Sequence, residues 1–402
     1  MNIATLSASY LRARPMHTIL GLALLSLGVC AITLLILVVG QIEDRMGRDA
    51  RGIDLVVGAK GSPLQLILSG IYHLDAPTGN MPLKAAKALA QDPRVARAIP
   101  LALGDSFRGF RIVGSGHEYP ALYGARIAGG RLWQEPMEAV LGSEVAARTG
   151  MGLGAAIVAA HGIGADSDTA HGSQPYRVVG VLAPTGSVLD RLVLTSVESV
   201  WQIHEEHHEP ADDAERQALA EEREITVLLV QYASPLAAVS LPRQINSRTE
   251  FQAASPAYET ARLFRIVGFG VEALRALAVL LVLAAGFSVF VALYNALEER
   301  RYQLAVMRVL GAAPRRIFGL LMLEGTLLSL VGTLAGLALG HGLVAVSAGL
   351  LAVEGQSVVS AAVWRDEEWW LAAFGVSIGA IAALVPAWRA SRADVARILS
   401  EA

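Results

Sequence analysis

The sequence holds a single cysteine among its 402 residues, Cys30, so no intrachain disulfide can brace the chain. Charge is scarce as well: Asp, Glu, Lys and Arg make up 17% of the residues and the formal net charge is -3. A nucleic-acid surface needs a basic excess that is missing here. Signatures of hydrolytic chemistry are also scarce: there is no paired-cysteine motif and no Gly-x-Ser-x-Gly. Catalysis in this chain is therefore not expected. The segment Gly58-Ala59-Lys60-Gly61-Ser62 lacks the upstream glycine spacing of a phosphate-binding loop, and no other stretch supplies one. No short internal repeat is present.

What the sequence has in excess is apolar residues, 53% of the chain, with a mean hydropathy of +0.47. Thr18 to Gly40 runs without a charged residue, long enough at helical rise to cross a hydrocarbon core. Arg12 and Arg14 precede it as in a signal peptide, but the run exceeds a signal-peptide apolar region, so a retained span is expected. Three more candidates follow: Ala276 to Leu297, Ile317 to about Ala352 interrupted by Glu324 and His341, and Trp369 to Trp388. The predicted order is a first span through residue 40, an external domain over 41–270, a second span over 271–297 and a cytoplasmic segment over 298–316. A third span over 317–352, an external loop over 353–368, a fourth span over 369–388 and a tail over 389–402 complete it.

Arginine sets the orientation, because basic residues beside spans stay in the cytoplasm. Arg12 and Arg14, then Arg300, Arg301, Arg308, Arg315 and Arg316, then Arg389, Arg392 and Arg397 mark both termini and the link between spans two and three as cytoplasmic. The link between spans three and four carries Glu354, Asp366, Glu367 and Glu368 against Arg365, with Trp364, Trp369 and Trp370 as an interfacial belt.

Between Gln41 and Gly270 the pattern changes. Short runs such as Ile53 to Val57, Arg177 to Leu182 and Ile225 to Val230 read as strands, and Pro82 to Ala90, Ser143 to Thr149 and Val197 to His204 as helices. The expected fold class is therefore a four-helix membrane part with a large α+β external domain. The strand-rich stretch from Arg108 to about Leu194 is expected to be a lobe inserted into a discontinuous lobe made by its flanks. Ala211 to Arg223, charged and Ala-rich, reads as a solvated segment.

The stretch Leu297-Glu298-Glu299-Arg300-Arg301-Tyr302-Gln303-Leu304-Ala305-Val306-Met307-Arg308-Val309-Leu310-Gly311-Ala312, followed by Pro314-Arg315-Arg316-Ile317, resembles the cytoplasmic signature of FtsX-like, MacB/LolC-type (type VII) ABC permeases. Outside, Gly130-Arg131-Leu132-Trp133, Ala139 to Ala146 and Arg177 to Leu182 resemble that family's inserted lobe, and the spacing of one span, a large domain and three spans also matches. The resemblance implies a periplasmic core of porter and inserted β-rich lobes in a bacterial inner-membrane protein. It implies a coupling helix docked on a separate ATPase that binds ATP and Mg, since this chain has no phosphate loop. Glu299, Arg300, Leu304, Met307, Arg308, Leu310 and Gly311 are the positions assigned to that coupling. Independently of the family, Leu304, Met307, Val309 and Leu310 among charges describe an amphipathic helix too short to span, with Gly311 able to end it and Pro314 to open the next.

Gly332, Gly336 and Gly340 put three bare positions on one face of span three, where another helix can approach closely. Glu324 is read as an acid that snorkels to the interface, with a functional pairing as the alternative, and His341 as a packing residue rather than a proton relay. His204, His207 and His208, at i, i+3 and i+4, would bring imidazoles to one helix face and could bind zinc; a solvated acidic loop is the plainer alternative. Asp54 to Leu66 and Pro184 to Arg191 also resemble a bacterial subgroup associated with zinc-responsive systems. With few polar residues in its spans, the chain is not expected to form a wide hydrophilic channel, and the family resemblance implies mechanical transmission. The chain would work as a homodimer or with a similar permease, on a lipoprotein, peptide, lipophilic compound or periplasmic partner. The rivals are an FtsX-like regulator that activates a periplasmic protein without transport, and a zinc-handling component.

Overall fold

The computed structural model describes residues 15–161, 175–205, 222–353 and 359–392. The chain divides into two compact units, Asp44–Arg265 and the combination of Met1–Glu43 with Ile266–Ala402.

The first unit is built on one mixed sheet. Its strands are β1 (Leu55–Ala59), β3 (Val95–Phe107), β4 (Phe110–Ser115), β5 (Ile127–Gly130), β6 (Glu138–Leu141), β9 (Tyr176–Leu182), β10 (Leu192–Thr195), β12 (Val227–Tyr232) and β13 (Phe251–Ala254), in the order β13-β1-β12-β3-β4-β10-β6-β9-β5. Two short strands hang on it: β7 (Ala156–Ile157) pairs β9 and β8 (Ala160–His161) pairs β3, while β2 (Met81–Pro82) and β11 (Glu224–Ile225) form a separate pair. Pairing is parallel for β4 with β10 and β6 with β9, and antiparallel elsewhere.

The central strands are buried on both faces, which is why they read as unbroken apolar runs. Along β1, Val56 joins a core with Leu66, Ile67, Ile71 and Tyr119, whereas Leu55 and Val57 join one with Ala86, Val200, Leu241 and Ile245. The alternation continues on β12, with Val227 and Leu229 on the first face and Leu228 and Val230 on the second. Helices Pro63–Gly70, Leu83–Ala90, Glu118–Leu122, Val197–Glu205 and Ala237–Arg248 supply these covering residues. The segment expected to be an inserted lobe contributes the adjacent strands β4, β10, β6, β9 and β5, and its flanks contribute β13, β1, β12 and β3. The two parts share one sheet: β3 and β4 pair directly, with a register shift between Leu103 and Ser106.

The second unit is helical. Four helices are long and apolar enough to cross a membrane: Ile19–Asp49 within α1 (Pro15–Asp49), Pro256–Glu299, Pro314–Leu350 and Asp366–Ser391. Counting the five covering helices above as α2, α3, α4, α6 and α7, with Ser143–Thr149 as α5, the remaining helices are α8 (Pro256–Glu299), α9 (Arg301–Val309), α10 (Pro314–Val353) and α11 (Asp366–Ser391). Both α1 and α8 run past the apolar segments Thr18 to Gly40 and Ala276 to Leu297 that mark them in the sequence. The helices continue through Gly47 in α1 and Gly268 and Gly270 in α8, so the apolar pattern alone ends α1 too early and starts α8 too late.

Glycine decides how these helices meet. A Cβ on Gly332 would sit 2.9 Å from Leu25, on Gly336 2.6 Å from Val29, and on Gly340 2.7 Å from Thr33. The three glycines thus face α1 of the same chain. Gly28 meets Val282 of α8, Gly286 meets Ile378 of α11, and Gly375 and Gly379 of α11 meet Thr333 and Ser329 of α10. Small residues let helices approach where lipid offers no hydrophobic driving force for association.

Candidate functional site

The short helix α9 lies between two spans and is amphipathic. Ala305 is buried and Leu304 packs beside Leu297, Ile317, Leu321, Ala387 and Ala390, which fixes one face of α9 against α8, α10 and α11. The other side carries bare apolar surface: Tyr302 is 54% exposed, Val309 63% and Leu310 81%. Exposed basic residues surround it, Arg301 on α9 and Arg315 and Arg316 on the first turn of α10.

The end of α9 is built to hold that surface rigidly. Gly311 has φ 94°, a left-handed conformation that a side chain would disfavour. Its N–H donates to the Arg308 carbonyl at 3.1 Å and the Ala312 N–H donates to the Met307 carbonyl at 2.9 Å, the two bonds of a Schellman motif. Pro314 then opens α10, where its missing N–H costs nothing. Gly311 and Pro314 thus act as stop and start, as their spacing predicts.

Two arginines anchor the segment. Arg308 donates from Nη1 to the Ser391 carbonyl at 2.9 Å, tying α9 to the end of α11. Arg300, at the N-terminus of α9, places Nη1 3.8 Å from Glu324 Oε2. Glu324 is 3% exposed, so it does not snorkel to the interface. It points into the bundle because a cation waits there, and a buried acid is far cheaper beside an arginine than alone.

The predicted coupling set therefore divides. Leu310 and Gly311 are exposed and Glu299 is exposed at the end of α8, while Leu304, Met307, Arg308 and Arg300 are partly buried. Val309, part of the amphipathic pattern, and Tyr302 lie outside the predicted coupling set; seven residues apart, they share one exposed face of α9.

The opposite end of α10 carries a second polar contact. His341 accepts no role as simple packing: its Nδ1 lies 2.8 Å from the Ala361 carbonyl and its Nε2 2.7 Å from Glu368 Oε2. Glu368 is fully buried and also accepts the Arg365 N–H at 2.9 Å. Trp364 stacks on the imidazole at 5.5 Å, and Gln41 of α1 exchanges two hydrogen bonds with Ser360. The loop before α11 is thereby pinned to α10 and α1.

In the sheet unit the strongest polar knot is at Glu138, 3% exposed, which accepts from Arg131, Arg177 and the N–H groups of Gln134 and Glu135. The Arg131 hydrogen bonds, opposed by burial and aided by the two backbone N–H groups, hold its carboxyl down at about 2. Asp190 similarly gathers the Thr185 and Gly186 N–H groups in the turn before β10. His204 lies in α6, whereas His207 and His208 lie outside the described residues. Among the described residues no three His, Cys, Asp or Glu side chains are grouped to hold a metal ion.

Comparison with known proteins follows the same division of the chain. Residues 275–395 match the FtsX-like permease C-terminal model, and residues 18–248 match the MacB-like periplasmic core domain. A search of curated proteins returns no match. Among solved structures, the periplasmic region of MacB from Actinobacillus actinomycetemcomitans aligns at 14% identity over 54% of this chain and 95% of its own, with a TM-score of 0.34. The extracellular domain of the noncanonic ABC-type transporter YknZ from Gram-positive bacteria aligns at 13% identity over 50% of this chain and 99% of its own, with a TM-score of 0.30. Scores this low add nothing to the family assignment, which rests on the two family models. With four apolar helices, an α/β domain after the first of them and both models matched in order, the chain is a multi-pass membrane protein of the FtsX-like, MacB-type ABC permease family.

Proposed function

We propose that the chain is the permease subunit of an ATP-driven complex, in which α9 docks on a separate ATPase and passes its motion to the sheet unit. The observation that carries this reading is the exposed apolar end of α9, where Tyr302, Val309 and Leu310 stand in a basic surround on a helix too short to span. Apolar surface presented on a rigid short helix suits a partner groove. The anchors at Arg308 and Arg300 give a push on α9 a direct path into α11 and α10.

ATP and Mg belong to the partner in this reading, because this chain has no phosphate loop. The arginine distribution supports a bacterial inner-membrane placement with both termini and α9 in the cytoplasm and the sheet unit outside. Two permeases, identical or similar, would assemble with the ATPases. Mechanical transmission is favoured over a hydrophilic channel, since the buried polar side chains of the four long helices among the described residues are few: Thr33, Asp49, Glu259, Glu324, Ser329, Thr333 and Glu368.

The test is co-purification from native membranes of wild type and a Val309→Asp, Leu310→Asp variant, with bound proteins identified by mass spectrometry. Both side chains are exposed, so the variant is expected to keep its thermal stability. Recovery of an ATPase with wild type and its loss with the variant is the expected result; equal recovery with both would reject α9 as the docking element. ATPase turnover stimulated by a solute would then mark transport, and stimulation only by a periplasmic protein would mark regulation.

A further inference from the structure

The imidazole of His341 sits between two acceptors. Its Nδ1 lies 2.8 Å from the Ala361 carbonyl oxygen and its Nε2 2.7 Å from Glu368 Oε2. A carbonyl oxygen can only accept, so Nδ1 carries a hydrogen and donates it. A neutral imidazole has then used its one N–H, and Nε2 is left as a bare lone pair. Facing a carboxylate oxygen, that lone pair would set two acceptors against each other at hydrogen-bond distance. The contact therefore holds one more proton, carried either on Nε2 as imidazolium or on Oε2 as a carboxylic acid. In both forms the closed arrangement binds one proton more than a neutral histidine and a separate carboxylate.

The charged surroundings are few. α10 has no charged residue between Glu324 and Val353, and the α1 residues that meet it here are uncharged, Thr33 beside Gly340 and then Gly40 and Gln41 further along. On α11, Glu368 is fully buried, Asp366 is exposed, and the exposed Glu367 faces Arg365 Nε at 3.4 Å. Arg365 is the cation of this region. Its N–H donates to Glu368 Oε1 at 2.9 Å, and its guanidinium lies over Gly40 of α1.

The proton holds more than one side-chain pair together. Ala361 belongs to segment 359–365, which leads into α11. Gln41 of α1 binds the same segment, accepting the Ser360 N–H at 2.8 Å and donating to the Ser360 carbonyl at 2.9 Å. Trp364 stacks on the imidazole with the two planes 8° apart. One histidine thus fastens the segment to α10 and α11, and the segment fastens both to α1. We infer that His341 and Glu368 form a proton-operated latch on segment 359–365, closed while the shared proton is present and released when rising pH removes it. Because the closed form binds the extra proton, acid favours closing and base favours release. The latch lies toward the end of α10 away from α9, so it gives the membrane unit an input that does not depend on α9 meeting a partner.

The experiment uses the full chain in detergent with a nitroxide attached through Ala362→Cys, an exposed position of the segment, and Cys30→Ser to leave one attachment point. Label mobility is read by electron paramagnetic resonance from about pH 5.5 to about pH 9.5, a range that brackets ordinary imidazole titration. With the latch residues intact, an immobile population is expected to give way to a mobile one as pH rises, the ratio of the two changing about tenfold per pH unit for one proton. Glu368→Gln supplies an amide N–H that a neutral Nε2 can accept, while its carbonyl oxygen keeps the Arg365 N–H. This variant is expected to stay immobile across the range. His341→Phe has neither nitrogen and is expected to be mobile throughout. Constant mobility with the latch residues intact, or a transition that persists unchanged in Glu368→Gln, would overturn the latch.

Discussion

The membrane unit and the sheet unit bury their contacts by different means. In the membrane unit the closest approaches are made by residues with almost no side chain, Gly28, Gly332, Gly336, Gly340 and Gly375, while large apolar side chains such as Leu334, Leu339 and Val346 are left exposed. In the sheet unit the pattern reverses: Val56, Leu101, Val140 and Leu229 fill the interior and glycine serves mainly turns. The difference follows from the solvent. Water drives apolar side chains inward, whereas lipid is indifferent to them and leaves close packing and a few polar pairs to choose helix partners. Polar groups therefore carry much of the specificity in both units, Glu324 and Glu368 in one and Glu138 in the other.

Gly336→Leu should break the contrast most severely. Its Cβ alone would meet Val29 at 2.6 Å and the Ser26 carbonyl at 2.7 Å, so the cost is expected at or above the ~3 kcal/mol top of the usual overpacking range. Loss of the folded species on size-exclusion chromatography in detergent would register it.

Glu138→Ala comes next. It leaves Arg131 and Arg177 without their carboxylate and two N–H groups without an acceptor, and is expected to lower stability by about 3 kcal/mol in denaturant titration. Because the folded carboxyl is held at about 2, its contribution is present above the unfolded value and fades as pH falls toward 2.

Acid should also act through His73, at higher pH, because burial and the charges of Arg111 and Arg191 keep this histidine neutral. Its folded pKa of about 3 lies below the unfolded value, so the unfolded chain binds the extra proton and stability falls as pH drops through about 6.5. A loss of about 2 kcal/mol between pH 7 and pH 5 is expected in thermal unfolding, and His73→Gln should remove that slope. The smallest effect sharpens the first: Gly342, with nothing within 4 Å of an added Cβ, should accept Leu with a change below about 0.5 kcal/mol.

Much of the membrane unit is legible in the sequence because its signals are local. Four apolar runs, the arginine-rich link and the Gly332-Gly336-Gly340 spacing each report on one helix, and Gly311 with Pro314 marks a turn that the hydrogen bonds then form. Partners are not local. That Glu324 meets Arg300, and that His341 meets Glu368, depends on how α8, α9, α10 and α11 are brought together, which no single helix period encodes. The same holds in the sheet unit. Strand runs and the helix Ser143–Thr149 are readable, but the order that places β10 between β4 and β6, and so sets Leu192 beside Arg111, arises from pairing distant in sequence. Within α9, helical phase was available yet ambiguous, because Leu304 and Leu310 are both apolar and only packing shows that Leu304 faces the bundle.

Docking of α9 on an ATPase is tested most directly by site-specific photo-cross-linking in native membranes, with the cross-linker placed in turn at Val309, Leu310 and the buried Ala305. Adducts to an ATPase from positions 309 and 310, and none from 305, are the predicted result. No ATPase adduct from either exposed position, in a complex that still hydrolyses ATP, would contradict it.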